Sequence, residues 1–193
     1  MLRYLLIGAI VVFTQLARAE SPSVFKVGDT GGTYTGTAFE LQTKRGVVTV
    51  TNRHICKDQT TLVGIFPDKS RILIVKSVSE KHDLCILTSI PGMPSLKAGA
   101  DYHKDEKVTV EGYPRGVRTL TKGTIGLYYK AGILDDAVVV QYLGKVYHGS
   151  SGSPVLDPNG DVVGVIALVS SDYSYGGIVP LEFLKDFIDI QPQ

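Results

Sequence analysis

Short β-branched and apolar runs, each cut off by glycine, proline, asparagine or aspartate, recur along most of the chain. Thr33 to Leu41, Gly46 to Thr51, Thr61 to Ile65, Ile72 to Val78 and Leu84 to Thr88 form one set. Lys107 to Glu111, Thr119 to Tyr129, Ala137 to Tyr142, Val162 to Ser170 and Gly177 to Pro180 form another. A spacing of roughly 8–12 residues between turn signals is that of barrels and sandwiches. Twenty-one glycines and nine prolines among 193 residues supply the turns. Asp157-Pro158-Asn159-Gly160-Asp161, between two apolar runs, predicts a hairpin. A helical period shows only near the end, where Leu181, Leu184, Phe187 and Ile188 follow Pro180. Pro91 to Asp101 is broken by Pro91, Gly92, Pro94, Ser95 and Gly99, and reads as a linker between comparable halves. The expectation is two small antiparallel barrels, residues 20–95 and 96–193, with a groove between them.

The first nineteen residues read differently. Arg3, an apolar run from Tyr4 to Phe13, and Ala17-Arg18-Ala19 have the order of a secretory signal peptide cleaved before Glu20. Ten apolar residues fall short of the about 20 that a bilayer-spanning helix needs. We therefore expect an exported, secreted or periplasmic protein, with no stable membrane anchor after cleavage. Removal of Arg3 and Arg18 takes the net charge from +1 to −1. A near-neutral chain gives no electrostatic reason to expect nucleic acid as a partner. Two cysteines exclude both a disulfide scaffold and a four-cysteine zinc site. There is no His-Glu-x-x-His, phosphate loop or calcium loop, so neither a metal nor an organic cofactor is expected.

The segment richest in chemistry is His148-Gly149-Ser150-Ser151-Gly152-Ser153-Pro154-Val155. Glycines on both sides of a serine pair make a tight loop. Such a loop can present a hydroxyl while its own amides point into the same space, as acyl transfer requires. The segment does not fit Gly-x-Ser-x-Gly, because Ser153 stands where the second glycine belongs, so the α/β-hydrolase elbow is disfavoured. A serine needs a base. Of His54, His82, His103 and His148, His54 ends an apolar strand, whereas His103 lies in a polar run and His148 is close enough to Ser151 to line the groove. Asp83 leads straight into Leu84-Cys85-Ile86-Leu87. A carboxylate there is partly buried and needs a donor, which a histidine ring N–H supplies.

Thr51-Asn52-Arg53-His54-Ile55-Cys56, Asp83-Leu84-Cys85-Ile86-Leu87 and Gly149-Ser150-Ser151-Gly152-Ser153-Pro154, in that order, resemble the trypsin-like, chymotrypsin-fold serine endopeptidases. Thr35-Gly36-Thr37-Ala38-Phe39 looks like the family's early strand motif, and Val162 to Val169 like its pocket strand. The resemblance implies an all-β fold of two packed six-stranded antiparallel β-barrels with a short C-terminal helix. The spacings, 29 residues from His54 to Asp83 and 68 from Asp83 to Ser151, look most like the compact bacterial branches, HtrA/Deg-like or glutamyl-endopeptidase-like, with no PDZ module expected. It implies Ser151 as nucleophile, His54 as base, Asp83 as its orienting acid, and the amides of Gly149 and Ser151 as the oxyanion hole. The implied partner is a protein or peptide substrate, and the protein is expected to be a monomer.

Two positions depart from the family pattern. Ser150 replaces the aspartate that precedes the nucleophile in digestive-type members, and Ala167 stands where a polar residue usually supports the acid. The pocket strand Ala167-Leu168-Val169, narrowed by Val169, favours small or aliphatic side chains. Lys145, six residues before Ser151, would favour an acidic one if it stood at the pocket base with His148 at the rim. Cys56 and Cys85 each lie two residues after a triad position, as one disulfide or as two buried thiols. A trypsin-fold protein that binds peptides without cutting them is the alternative function. An unrelated β-rich adhesion module would leave the order of the three motifs unexplained.

Overall fold

The computed structural model describes residues 20–131 and 137–190. The expected leader, residues 1–19, lies outside the described residues.

The first sheet is built from β1 (Val24–Gly28), β2 (Tyr34–Thr43), β3 (Gly46–Thr51), β4 (Thr61–Ile65), β5 (Ser70–Val78) and β6 (Cys85–Leu87). Its order β1-β4-β5-β6-β3-β2 closes on itself through antiparallel β1–β2 pairing, which makes a six-stranded barrel. A two-residue strand, β7 (Leu96–Lys97), adds in parallel to β2, so the sheet continues past residue 95. The second barrel comprises β8 (Lys107–Gly112), β9 (Thr119–Ala131), β10 (Ala137–Leu143), β11 (Pro154–Leu156), β12 (Val162–Val169) and β13 (Gly176–Pro180). It closes in the order β10-β13-β12-β11-β8-β9. The expected all-β fold of two six-stranded antiparallel barrels is therefore what the chain forms.

Period-two alternation explains why β6 contains no polar residue. Cys85 and Leu87 fill the first barrel, while Leu84 and Ile86 point to the core between the barrels. β12 also divides, with Val163 and Ile166 inside the second barrel and Val162 and Val165 outside it, the three-residue steps following from the bulge opposite Val155 and Leu156. Ala167, two residues after Val165, keeps the same outward face and lies in the central core. One helix, α2 (Leu181–Ile190), covers this core with Leu181, Leu184, Phe187 and Ile188, one face of a 3.6-residue period. In the β11–β12 hairpin, Asp157 Oδ1 accepts from the N–H groups of Gly160 and Asp161, so the turn is closed by the residue types that predicted it.

Cys56 and Cys85 form a disulfide, with Cα atoms 6.4 Å apart. Of the two arrangements open in the sequence, this structure has the bonded one. Among the described residues no helix is long and apolar enough to cross a membrane.

Candidate active site

His54 is placed by the end of a strand. β3 stops at Thr51, and a single helical turn, α1 (Arg53–Cys56), follows the fully buried Asn52. Asn52 Nδ2 donates to the main-chain oxygen of Asp83 at 2.8 Å, which ties the two segments together. The disulfide joins the same segments a second time.

Asp83 is fully buried and makes two hydrogen bonds to one residue. Its Oδ1 accepts from the backbone N–H of His54 at 2.9 Å, and its Oδ2 lies 2.7 Å from His54 Nδ1. A carboxylate only accepts, so Nδ1 must carry the hydrogen and Nε2 keeps its lone pair. The His54 side chain is 43% exposed, so the ring reaches solvent on its other side. Both oxygens of Asp83 are thus satisfied even though Ala167 offers no hydroxyl.

The serine loop is held by its carbonyls. Arg115, in a 3-10 turn at Pro114–Gly116 and itself left-handed with φ 54°, donates its N–H to the oxygen of His148 at 2.8 Å. The N–H of Ser153 donates to the oxygen of Ser150 at 2.9 Å. Among the described residues there are no cis peptides, and in a trans peptide the N–H points opposite the C=O. These two tethers therefore turn the N–H groups of Gly149 and Ser151 to the other side of their peptides. Gly152 must be glycine: its φ is 82°, and a Cβ there would stand 2.0 Å from the oxygen of Thr37.

Thr37 anchors this loop to the first barrel. Its N–H donates to the oxygen of Ser151 at 2.8 Å. Its hydroxyl donates to the oxygen of Gly149 at 2.9 Å and accepts from the N–H of Tyr113 at 3.0 Å. Thr51 Oγ1 in turn donates to the oxygen of Thr37. Ser151 and His54 thus sit at the junction of the barrels, Ser151 joined to β2 and His54 following the neighbouring β3. Among the described residues no hydrogen bond joins Ser151 Oγ to His54.

The residues expected around the pocket divide. Leu168 and Val169 are partly exposed, but Ala167 is buried among the central core residues. Lys145 is exposed, and the buried residue beside it is Val146, which packs against Gly176. His148 is exposed and stands edge-on to Tyr173 at 5.8 Å. The Arg115 guanidinium lies over Tyr147 at 4.5 Å. His82, beside Asp83, stacks on Phe183 at 4.2 Å, and burial holds its pKa below the usual histidine value. A cavity of about 890 Å³ lies against β3, β5 and β6 and one of about 510 Å³ between the end of β2 and α2, and neither is lined by His54, Asp83 or Ser151.

Sequence reading assigned no role to Thr37, Asn52 or Arg115. Thr37 and Asn52 lie inside quoted motifs, so their proximity to the site was visible. Arg115 acts through its main chain, which no residue type announces.

Residues 34–165 match the family model of the trypsin-like peptidase domain. The chain is 27% identical over 167 residues to the serine protease HTRA4 of Homo sapiens, covering 80% of this chain and 34% of that protein. It is 26% identical over 146 residues to the anti-sigma-I factor RsgI9 of Acetivibrio thermocellus, covering 72% and 20% respectively. The chain thus spans about a third or less of the curated relatives' length. Among solved structures, the inactive form of Rv3671c protease of M. tuberculosis is similar, at 26% identity, TM-score 0.71, and 89% and 90% coverage of the two chains. The HtrA-type protease AlgW with tripeptide shares the fold at 20% identity and TM-score 0.75, covering 88% of this chain and 60% of that one. The family match and the two closed barrels agree: this chain belongs to the trypsin-like peptidase domain family.

Proposed function

We propose that the protein is a serine endopeptidase that hydrolyses peptide bonds through an acyl-enzyme. Ser151 Oγ attacks the scissile carbonyl, and His54 Nε2 takes its proton and returns it to the leaving amine. Asp83 holds the imidazole tautomer and stabilises its charged form. The N–H groups of Gly149 and Ser151 bind the oxyanion, where one donor typically contributes about 3 kcal/mol to the transition state. The observation that carries this reading is the paired hydrogen bonding of a fully buried Asp83 to His54, which leaves Nε2 basic and directed away from the acid.

The primary pocket takes small or aliphatic side chains. Leu168 and Val169 support this preference, and the exposure of Lys145 removes one reason to expect an acidic one. The protein is exported after cleavage before Glu20, acts on protein or peptide substrates, and is a monomer whose halves are residues 20–95 and 96–193.

Reaction of the purified protein with a fluorophosphonate probe tests the activity. Labelling that disappears in both Ser151→Ala and His54→Ala is expected. No labelling of the wild-type protein would instead favour a peptide-binding protein of the same fold. A cleavage profile dominated by Glu or Asp at the primary site would overturn the pocket assignment.

A further inference from the structure

A buried acid of the second barrel meets the first described residues of the chain, and one of its oxygens has no partner. Glu111, near the end of β8, is fully buried. Its Oε1 accepts from the backbone N–H of Ser21 at 2.7 Å and from Arg118 Nη2 at 2.7 Å. Its Oε2 is buried with no hydrogen-bond partner among the described residues. Arg118 also donates to the oxygen of Ser21, and its Nε stands 3.4 Å from the Glu20 carboxylate. A buried carboxylate oxygen is costly to leave unpaired. Glu20 and Glu111 bring two negative charges to this cluster and Arg118 one positive charge. Lys26 is turned to the neighbouring Tyr113 ring, 5.9 Å from its centroid. The cluster lacks a compact cation with N–H donors, beside Ser21.

We propose that this is the seat of the α-ammonium created at Glu20 when the leader is removed. The inference rests on the export reading given above. Hydrolysis of the Ala19–Glu20 peptide adds water across the C–N bond, leaving a carboxylate on Ala19 and an ammonium on Glu20. Adjacent Cα atoms are about 3.8 Å apart. The new cation is therefore tethered one residue from the nitrogen that already touches Glu111. Before cleavage the same nitrogen is a neutral amide with a single N–H. Cleavage gives it a positive charge and three donors.

The seat connects to the serine loop. Two residues beyond Glu111, the N–H of Tyr113 donates to Thr37 Oγ1, whose hydroxyl donates to the oxygen of Gly149. Docking the ammonium fixes the end of β8, and with it the Thr37 bridge. Glu111 is a positioning residue: it acts on the Gly149–Ser151 loop through Thr37.

The test uses exported protein, whose first residue is read by mass spectrometry. One portion is left untreated, and in the other the α-amine is selectively acetylated. The chain is expected to begin at Glu20, with an α-amine that titrates above the usual value of about 7.7–8.0. Acetylation is expected to slow fluorophosphonate labelling of Ser151 by roughly 10–100-fold. Glu111→Gln should slow it similarly, return the α-amine to its ordinary range, and show no further loss on acetylation. An α-amine in the ordinary range, or labelling indifferent to acetylation, overturns the proposal while leaving the export reading intact. A first residue other than Glu20 overturns the cleavage reading and the proposal with it. Because the α-amine titration needs no turnover, it decides the matter even in a protein that labels poorly.

Discussion

Asp83 holds His54 at two points, the ring Nδ1 at 2.7 Å and the backbone N–H at 2.9 Å. The second bond fixes where the residue starts and the first fixes how its ring is turned. Asp83→Asn keeps an oxygen for the backbone N–H but presents an NH₂ group to Nδ1, which forces the hydrogen onto Nε2. With the lone pair on the wrong nitrogen, turnover at neutral pH is expected to fall by roughly 10⁴-fold with little change in melting temperature. Steady-state rates on a peptide substrate, together with a thermal melt, check both halves.

Thr37 gives the second prediction. Its hydroxyl accepts from the N–H of Tyr113 and donates to the oxygen of Gly149. Thr37→Val keeps the shape and removes both bonds. Removing a hydrogen bond from each of two main-chain groups should destabilise the fold by about 1–3 kcal/mol. Because one of them belongs to the peptide between Gly149 and Ser150, kcat should fall while KM changes little. Urea unfolding and a kcat–KM measurement separate the two effects.

Much of this was legible in the residues, for definite physical reasons. Runs such as Gly46–Thr51 and Thr61–Ile65 appear as strands with the same bounds, because β-branched residues between turn formers leave few other options. β1 and β7 were not anticipated: Val24–Gly28 has weak alternation, and Leu96–Lys97 is two residues inside a stretch full of breakers. The order of the His54, Asp83 and Ser151 motifs pointed to the candidate site. Ala167 turns to the central core with Val165, a face that an unbroken string of apolar residues does not announce. Lys145 was ambiguous because one register step separates it from the buried Val146.

The disulfide closes the His54 and Asp83 segments at a sequence separation of 29. On the chain-entropy account a loop of that size contributes about 3.5 kcal/mol. The double substitution Cys56→Ala with Cys85→Ala should lower stability by about that amount. Activity at temperatures well below the melt should persist, since Asn52 and the two Asp83–His54 bonds still join the segments. Chemical unfolding of the variant against the oxidised protein measures the loss.

Gly152→Ala should be far more damaging than its single methyl group implies. The position requires φ 82°, and the added carbon would stand 2.0 Å from the oxygen of Thr37 and 2.5 Å from Thr51 Oγ1. Neither neighbour can withdraw, because each is fixed by the hydrogen bonds that join the barrels. Backbone strain of about 1–3 kcal/mol adds to the overlap. The expected outcome is a lower melting temperature together with lost fluorophosphonate labelling, since Ser151 is the adjacent residue.

Glu40 provides a pH dependence whose sign can be worked out. It is fully buried on β2, its Oε1 accepts from Thr49 Oγ1 at 2.6 Å and from the N–H of Ile90 at 3.0 Å, and its Oε2 has no partner among the described residues. Burial raises its pKa above the ordinary carboxylate value of 4.5, and the two hydrogen bonds only partly oppose this. The folded protein therefore binds the proton more tightly than the unfolded chain does. The associated stability is fully present below the unfolded value and is lost as pH rises through the folded one. Glu40→Gln keeps an oxygen for Thr49 and Ile90 and cannot ionise. At pH 8 the variant is expected to be more stable than the wild type by about 1–3 kcal/mol, because a neutral amide costs less to bury than a carboxylate with an unpaired oxygen. Below pH 4 the difference should shrink or reverse. Unfolding midpoints measured across that range would contradict this account if the two proteins kept a constant gap.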